Sequence, residues 1–325
     1  MGNKVSVFPG TTPRYRRVAT AAVTGATQRI IIDIPKENIQ KEHALLFNLS
    51  MANVGAPTAV NLNRLGKIVS GVVLRVAGPQ NGELINCSGL TAHLLNSTSE
   101  EAPAAIVPLA APQVTQFAID LHHANEALRS LATAINGDEA TGITLEITMG
   151  ALADFRSIAG GPFTAAAAFT TCTGTVEVVV NESAPRELAG VQGVAQARHF
   201  MRDAFAAFAG AGTTQIQLQV GNSCRGLLIS AEVAATAVGS DAVISNISLQ
   251  IGGETILDES WFAARMATAR ITRINETGIV WIPFSEEDES GFLNLYNTNQ
   301  AFLNFTTTGA GQVRVLQDYS QGLIA

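Results

Sequence analysis

The feature that most constrains this chain is a run of alternating apolar and polar segments that occurs twice. In the run from Thr214 to Phe284, TQIQLQV places Ile216, Leu218 and Val220 on one face and Gln215, Gln217 and Gln219 on the other. Such a period of two is the signature of a half-buried strand. The segments Arg225–Ala234, Val243–Ile251 and Ile279–Phe284 continue the pattern, with a break at Gly252-Gly253. The same order of signals lies between Thr27 and Leu121. Thr27–Ile34 answers Thr214–Val220, and Ala44–Ala52 answers Gly226–Ala234. Lys67–Ala77 answers Val243–Ile251, and Val114–Leu121 answers Ile279–Phe284. The offset shrinks from about 187 residues at the first strand to about 165 at the fourth, so the first copy has the longer loops. The repeat is one of pattern, without residue-level identity.

Further strands are expected at Gly142–Met149, with Ile143, Leu145 and Ile147 inward, and at Gly174–Asn181, Phe292–Tyr296, Phe302–Thr307 and Gln312–Tyr319. Helical spacing predicts a short helix at Leu90–Leu95, one at His123–Ile135, one at Trp261–Thr268 and an amphipathic helix at Val194–Phe208. The last carries Val194, Ala197, Met201, Ala204, Phe205 and Phe208 on one stripe. Roughly 36 residues separate Ala77 from Val114 and about 27 separate Ile251 from Ile279, too long for hairpins of 2–5 residues. Connections of that length carry a chain from one sheet of a sandwich to the other, as Greek keys and jelly rolls require.

Charged residues make up only 14% of the chain against 47% hydrophobic, so much of the surface is neutral and suited to meeting protein. The formal charge is −7. Residues 1–25 hold Lys4, Arg14, Arg16 and Arg17 and no acid, which leaves the remainder at about −11. An acidic body argues against nucleic acid as the main ligand. Cys87, Cys172 and Cys224 are odd in number and widely spaced, which gives no disulfide framework and no paired metal motif. They read as reduced thiols of a protein made in a cytosol. No signal-peptide core and no apolar run of about 20 residues is present.

With two tandem β cassettes, a helix-bearing segment before the fourth strand of each (Leu90–Leu95, Trp261–Thr268), the segment Val194–Phe208 before the second copy and a basic N-terminus, the chain resembles the double jelly-roll major capsid proteins of tailless icosahedral viruses, many of them membrane-containing bacteriophages. The Trp281-Ile282-Pro283-Phe284 strand is similar to its counterpart there. The resemblance implies an all-β fold of two tandem eight-stranded jelly rolls with a few short helices. It divides the chain into a basic arm (1–25), a first jelly roll (26–185), a linker with the amphipathic helix (186–212) and a second jelly roll (213–325). It also implies a non-catalytic protein that forms homotrimers with a pseudo-hexameric outline, meets neighbouring capsomers and vertex proteins, and resides in a virion capsid after synthesis in a host cytoplasm. Lys4, Arg14, Arg16 and Arg17 would then face internal membrane lipids or the genome. Removal of the arm is expected to leave the fold and the trimer intact.

Motifs for chemistry are sparse. Phosphate loops of the GxxxxGK[ST] or GxGxxG kind and the GxSxG nucleophile elbow do not occur. His122 and His123 with His93 supply imidazoles but point apart in either a strand or a helix. The densest acidic tip, Glu286-Glu287-Asp288-Glu289, offers the carboxylate oxygens a structural calcium ion takes, without the alternating spacing of a dedicated loop; a solvated turn is the competing reading. The alternative function is a tandem jelly-roll carbohydrate-binding protein or glycan-acting enzyme. Trp261 and Trp281 sit in apolar surroundings that predict burial, against the exposed aromatics a sugar site needs.

Overall fold

Period-two segments become strands where each finds a partner. The computed structural model describes residues 14–98, 105–123, 131–164, 168–184, 195, 197–272, 274–284 and 292–322. Among these are sixteen strands of five or more residues. The first eight are β1 (Arg14–Val23), β2 (Arg29–Asp33), β3 (Ile39–Met51), β4 (Val69–Ala77), β5 (Gly82–Cys87), β6 (Gln113–His122), β7 (Gly142–Met149) and β8 (Thr173–Ser183). Helix α1 (Gly89–Asn96) lies between β5 and β6. The second eight are β9 (Arg198–Phe208), β10 (Gly212–Gln217), β11 (Ser223–Val233), β12 (Ile244–Ile251), β13 (Glu254–Ser260), β14 (Ile279–Pro283), β15 (Ala301–Thr307) and β16 (Gly311–Gln321). Helix α2 (Trp261–Ile271) lies between β13 and β14.

One sheet runs β1-β8-β3-β6 and a second begins β2-β7-β4-β5, which together form the first jelly roll. The second sheet does not stop at β5. Strand β9 joins it in parallel, Met201 opposite Ile85 and Arg202 opposite Asn86, and the sheet continues β9-β16-β11-β14. A third sheet, β10-β15-β12-β13, packs with that half to make the second jelly roll. The strand order is the same in both units, position for position. Inward residues such as Leu45, Phe47, Val178, Leu74 and Leu145 in the first unit, and Ile247, Leu303, Phe305 and Val315 in the second, form one continuous buried core.

The paired segments Thr27–Leu121 and Thr214–Phe284 are therefore second, third, fourth and sixth strands of successive jelly rolls, and the helices anticipated before the sixth strand are α1 and α2. Each helix is started by a serine: Ser88 Oγ accepts from Thr91 N and Ser260 Oγ from Ala263 N.

The structure corrects several expectations. Residues 14–23 are not arm but β1, the first strand of the first jelly roll, paired along its length with β8. Its Val18, Ala19, Ala21 and Val23 are small, yet they pack on the core, and Val23 is buried. Residues 198–208 are not an amphipathic helix in a linker. They form β9, the matching first strand of the second jelly roll, held by β16 on one edge and β5 on the other. Pairing on both edges outweighs local helix propensity there. Leu131–Ala134 form a turn leading to the short strand Ile135–Asn136, not the end of a helix, and the rest of that predicted helix lies outside the described residues. Strands β5 and β13 are additional to the strands expected from the sequence, and of Phe292–Tyr296 only Leu293–Asn294 is a strand.

Candidate functional site

Contacts that couple the two jelly rolls start from a short helical turn, Leu62–Ile68, set by Asn61, whose side chain caps Asn63 N. It delivers Arg64 into the seam between the units. Arg64 Nε donates to Glu276 Oε1 at 2.9 Å, Nη2 to the Thr277 carbonyl at 3.2 Å and Nη1 to Glu232 Oε1 at 3.4 Å. Lys67 Nζ lies 3.2 Å from Glu232 Oε1, and Asn61 Nδ2 donates to Glu276 Oε2 at 2.8 Å. Gly239 lies so close to Arg64 and Thr277 that a side chain there would meet both. A second clamp joins α1 to β9: Asp203 accepts from Ser88 N at 2.8 Å and from Thr91 Oγ1 at 3.0 Å, and faces Arg314 at 3.3 Å. Burial pushes the Asp203 carboxyl up, while Arg314 and the cap donors hold it down.

The histidines separate rather than converge on a metal. His43 is fully buried, its Nδ1 2.7 Å from His123 Nε2 and its Nε2 2.9 Å from Gln40 Oε1. Burial pushes His43 down to about 3, and burial with the nearby His43, His199 and His122 pushes His123 well below its ordinary range. His93 instead faces two backbone carbonyls, Leu62 O and Ala118 O. His199 Nε2 lies 2.5 Å from Asp318 Oδ1, and Arg225 approaches Oδ2 at 3.4 Å. Burial raises the Asp318 carboxyl, but His199 and Arg225 outweigh it and hold it below its usual value. None of these pairs could be read from sequence, because the partners lie 80 and 119 residues apart.

His122 points to the opposite side, where it shares a half-exposed patch with Asp120 of its own strand and Glu42 of the neighbouring β3. This trio, and not His93, is the one that brings His122 near other ligand atoms. The acidic tip Glu286, Glu287, Asp288 and Glu289 lies outside the described residues, as does Lys4. Arg14 pairs through its backbone with Glu182. Arg16 makes a two-pronged contact with Glu182, at 2.9 and 3.1 Å, and a further one with Glu37 at 3.3 Å; Arg17 faces Glu177 at 3.3 Å. Arg16 and Arg17 thus lie in a sheet edge beside carboxylates.

A cleft lined by Asn86, Arg202, Asp203, Gln217, Gln219 and Gln317 encloses about 140 Å3, below the roughly 300 Å3 at which small-molecule pockets begin. Trp261 and Trp281 are buried, so neither offers the exposed ring of a sugar platform. No helix among the described residues is long and apolar enough to cross a membrane. Large apolar side chains are instead exposed on the outside, among them Ile106, Phe262, Met266 and Ile271.

No family model matches the chain, and no curated protein matches its sequence. Solved structures do match its fold. The major capsid protein P2 from Bacteriophage PM2 is 13% identical, with a TM-score of 0.62 over 95% of this chain and 97% of that one. A chain in the atomic structure of Sulfolobus Turreted Icosahedral Virus is also 13% identical, with a TM-score of 0.69 over 95% of this chain and 92% of that one. The Faustovirus major capsid protein is 8% identical, with a TM-score of 0.62 over 99% and 92%. At such identities the likeness is one of fold, the double jelly roll, and it extends over nearly the full length on both sides.

Proposed function

We propose that the chain is a major capsid protein: a structural, non-catalytic subunit that trimerises into pseudo-hexameric capsomers and builds an icosahedral virion shell. The observation that carries this reading is the duplication. Two jelly rolls of identical strand order share one continuous sheet, and this arrangement is similar to the fold of capsid proteins over nearly the full length of both chains. Three such chains present six near-equivalent units, the outline of a hexagon. The neutral surface and its exposed apolar side chains suit extensive contact between subunits. The natural division of the chain is then β1–β8 and β9–β16, with each first strand inside its jelly roll.

The finer partners follow from charge alone. The basic N-terminal residues, Lys4 with Arg14, Arg16 and Arg17, support contact with internal membrane lipids or genome, and Arg16 and Arg17 do so only as far as their carboxylate neighbours leave charge uncompensated. The test of the main reading is sedimentation of the purified chain together with electron microscopy. Trimers and pseudo-hexagonal particles are expected; a stable monomer at micromolar concentration refutes it.

A further inference from the structure

Strands β8, β3 and β6 lie side by side in the first sheet, and a row of polar side chains crosses all three. Residues directly opposite one another in an antiparallel pair project to the same face. Asn181 of β8 lies opposite Glu42 of β3, and Glu42 lies opposite His122 of β6. Asp120, two residues before His122, shares that face. Its own opposite number is Ala44, which adds only a methyl group there. We propose that Glu42, Asp120, His122 and Asn181 bind a divalent transition-metal ion of the zinc class, which staples the three strands together.

The first support is geometry. One ligand atom from each of Glu42, Asp120 and His122 falls within 4.8 Å of the other two, and Nδ1 of His122 lies 3.9 Å from Oε2 of Glu42. Ligand atoms bound at about 2.0–2.2 Å around a tetrahedral metal stand about 3.4 Å apart. The remaining gap is within the reach of side-chain rotation.

The second is a stranded oxygen. Asn181 is 8% exposed, and among the described residues its buried Oδ1 has no hydrogen-bond partner. A buried amide oxygen without a donor is unfavourable, and a cation relieves it. This oxygen belongs to the Glu42 side of the sheet, because the preceding Val180 is the residue that points into the core.

The third is chemistry and access. Two carboxylates carry the charge that a divalent ion neutralises. One imidazole favours a transition metal over calcium or magnesium, which take oxygen ligands. The side chain of His122 is 43% exposed and that of Glu42 13%, so an ion reaches the trio from solvent while the amide oxygen lies deeper. The site is separate from the buried imidazoles. His43 and His123 directly follow Glu42 and His122 and face the other side of the sheet. The ladder of the sheet already holds the ligands in line, so binding orders little that is not ordered before it.

Co2+ titration of the full chain, first stripped with a chelator, tests the site, because Co2+ reports its ligands through visible absorption. The three native cysteines are buried and do not compete for the ion. One Co2+ per chain is expected, displaced by Zn2+ and left in place by Ca2+, with a higher melting temperature in the loaded protein. His122→Ala, Glu42→Gln and Asn181→Ala should each weaken Co2+ binding at least about tenfold and remove most of the metal-dependent rise in melting temperature. Melting in chelator shows whether each variant folds. Asn181→Asp keeps an oxygen at the same place and should retain binding, which separates a lost ligand from a disturbed fold. Full Co2+ affinity in His122→Ala overturns the site and puts the ion elsewhere, such as the acidic tip from Glu286 to Glu289. Unchanged affinity in Asn181→Ala overturns the four-ligand arrangement, and absence of Co2+ and Zn2+ binding at millimolar concentration overturns the site outright.

Discussion

Nε of Arg64 lies 2.9 Å from Oε1 of Glu276, so a buried cation of the first jelly roll is satisfied by a carboxylate of the second. The Arg64 side chain is only 3% exposed, and its remaining donors reach Glu232 and Thr277. Removing one partner of a buried pair strands the other charge away from water, and that penalty exceeds the value of the contact itself. This seam is expected to couple the unfolding of the two units.

Arg64→Ala is therefore expected to cost about 3–5 kcal/mol of stability. Denaturant unfolding of the variant should show the midpoint falling, with the second jelly roll separating as its own transition. A midpoint unchanged within error would show that the seam is held by packing alone.

Gly89 opens α1 where the helix crosses the strand start at Val69 and the turn at Gly66. An added Cβ would lie inside contact distance of the backbone carbonyls of Val69 and Gly66, neither of which can swing away. Gly89→Ala should destabilise by about 1–3 kcal/mol, the usual range for overpacking, measured by thermal melting. Gly71, with open space around its Cβ position, serves as the control: Gly71→Ala should be close to neutral.

Acid should loosen the fold in two steps. His43 has a folded value near 3, and His123 is also depressed, against about 6.5 when unfolded. A base with a depressed folded pKa binds more protons when unfolded. Stability is thus intact above about pH 6.5 and falls, by about 1.4 kcal/mol per pH unit per histidine, as pH drops below it. Asp318 adds a second loss at lower pH, as its depressed carboxyl is protonated. The slope of stability between pH 6.5 and 4.5 should flatten in His43→Gln, while the drop at lower pH persists. An unchanged upper slope would mean that the His43–His123 pair does not carry the effect.

Strand β1 belongs to the first sheet, so truncation through Val23 removes a strand rather than a tail. The edge of β8 and the core around Val176, Val178 and Val180 would open to water. The truncated chain should lose cooperative unfolding or soluble expression. Retention of a wild-type melting transition would place Val18–Val23 outside the core.

The alternation of Ile, Leu and Val at period two determined by itself where the strands of the two central repeats lie, and the order of those strands determined that one unit occurs twice. Gly and Pro breaks with helical spacing located α1 and α2 as well. These signals are local, because a strand buried on one face must alternate. The tertiary structure alone decided the first and fifth strands of each unit. β1 is Arg- and Ala-rich, β9 has the spacing of a helix, and β5 and β13 are short and polar, so none of them announces a buried face. Each becomes a strand because a long-range partner satisfies its backbone: β8 for β1, β16 for β9, β4 for β5 and β12 for β13. The same holds for Arg64 with Glu276 and His43 with His123, whose identities suggest nothing in sequence and whose roles arise only where folding removes water from both partners.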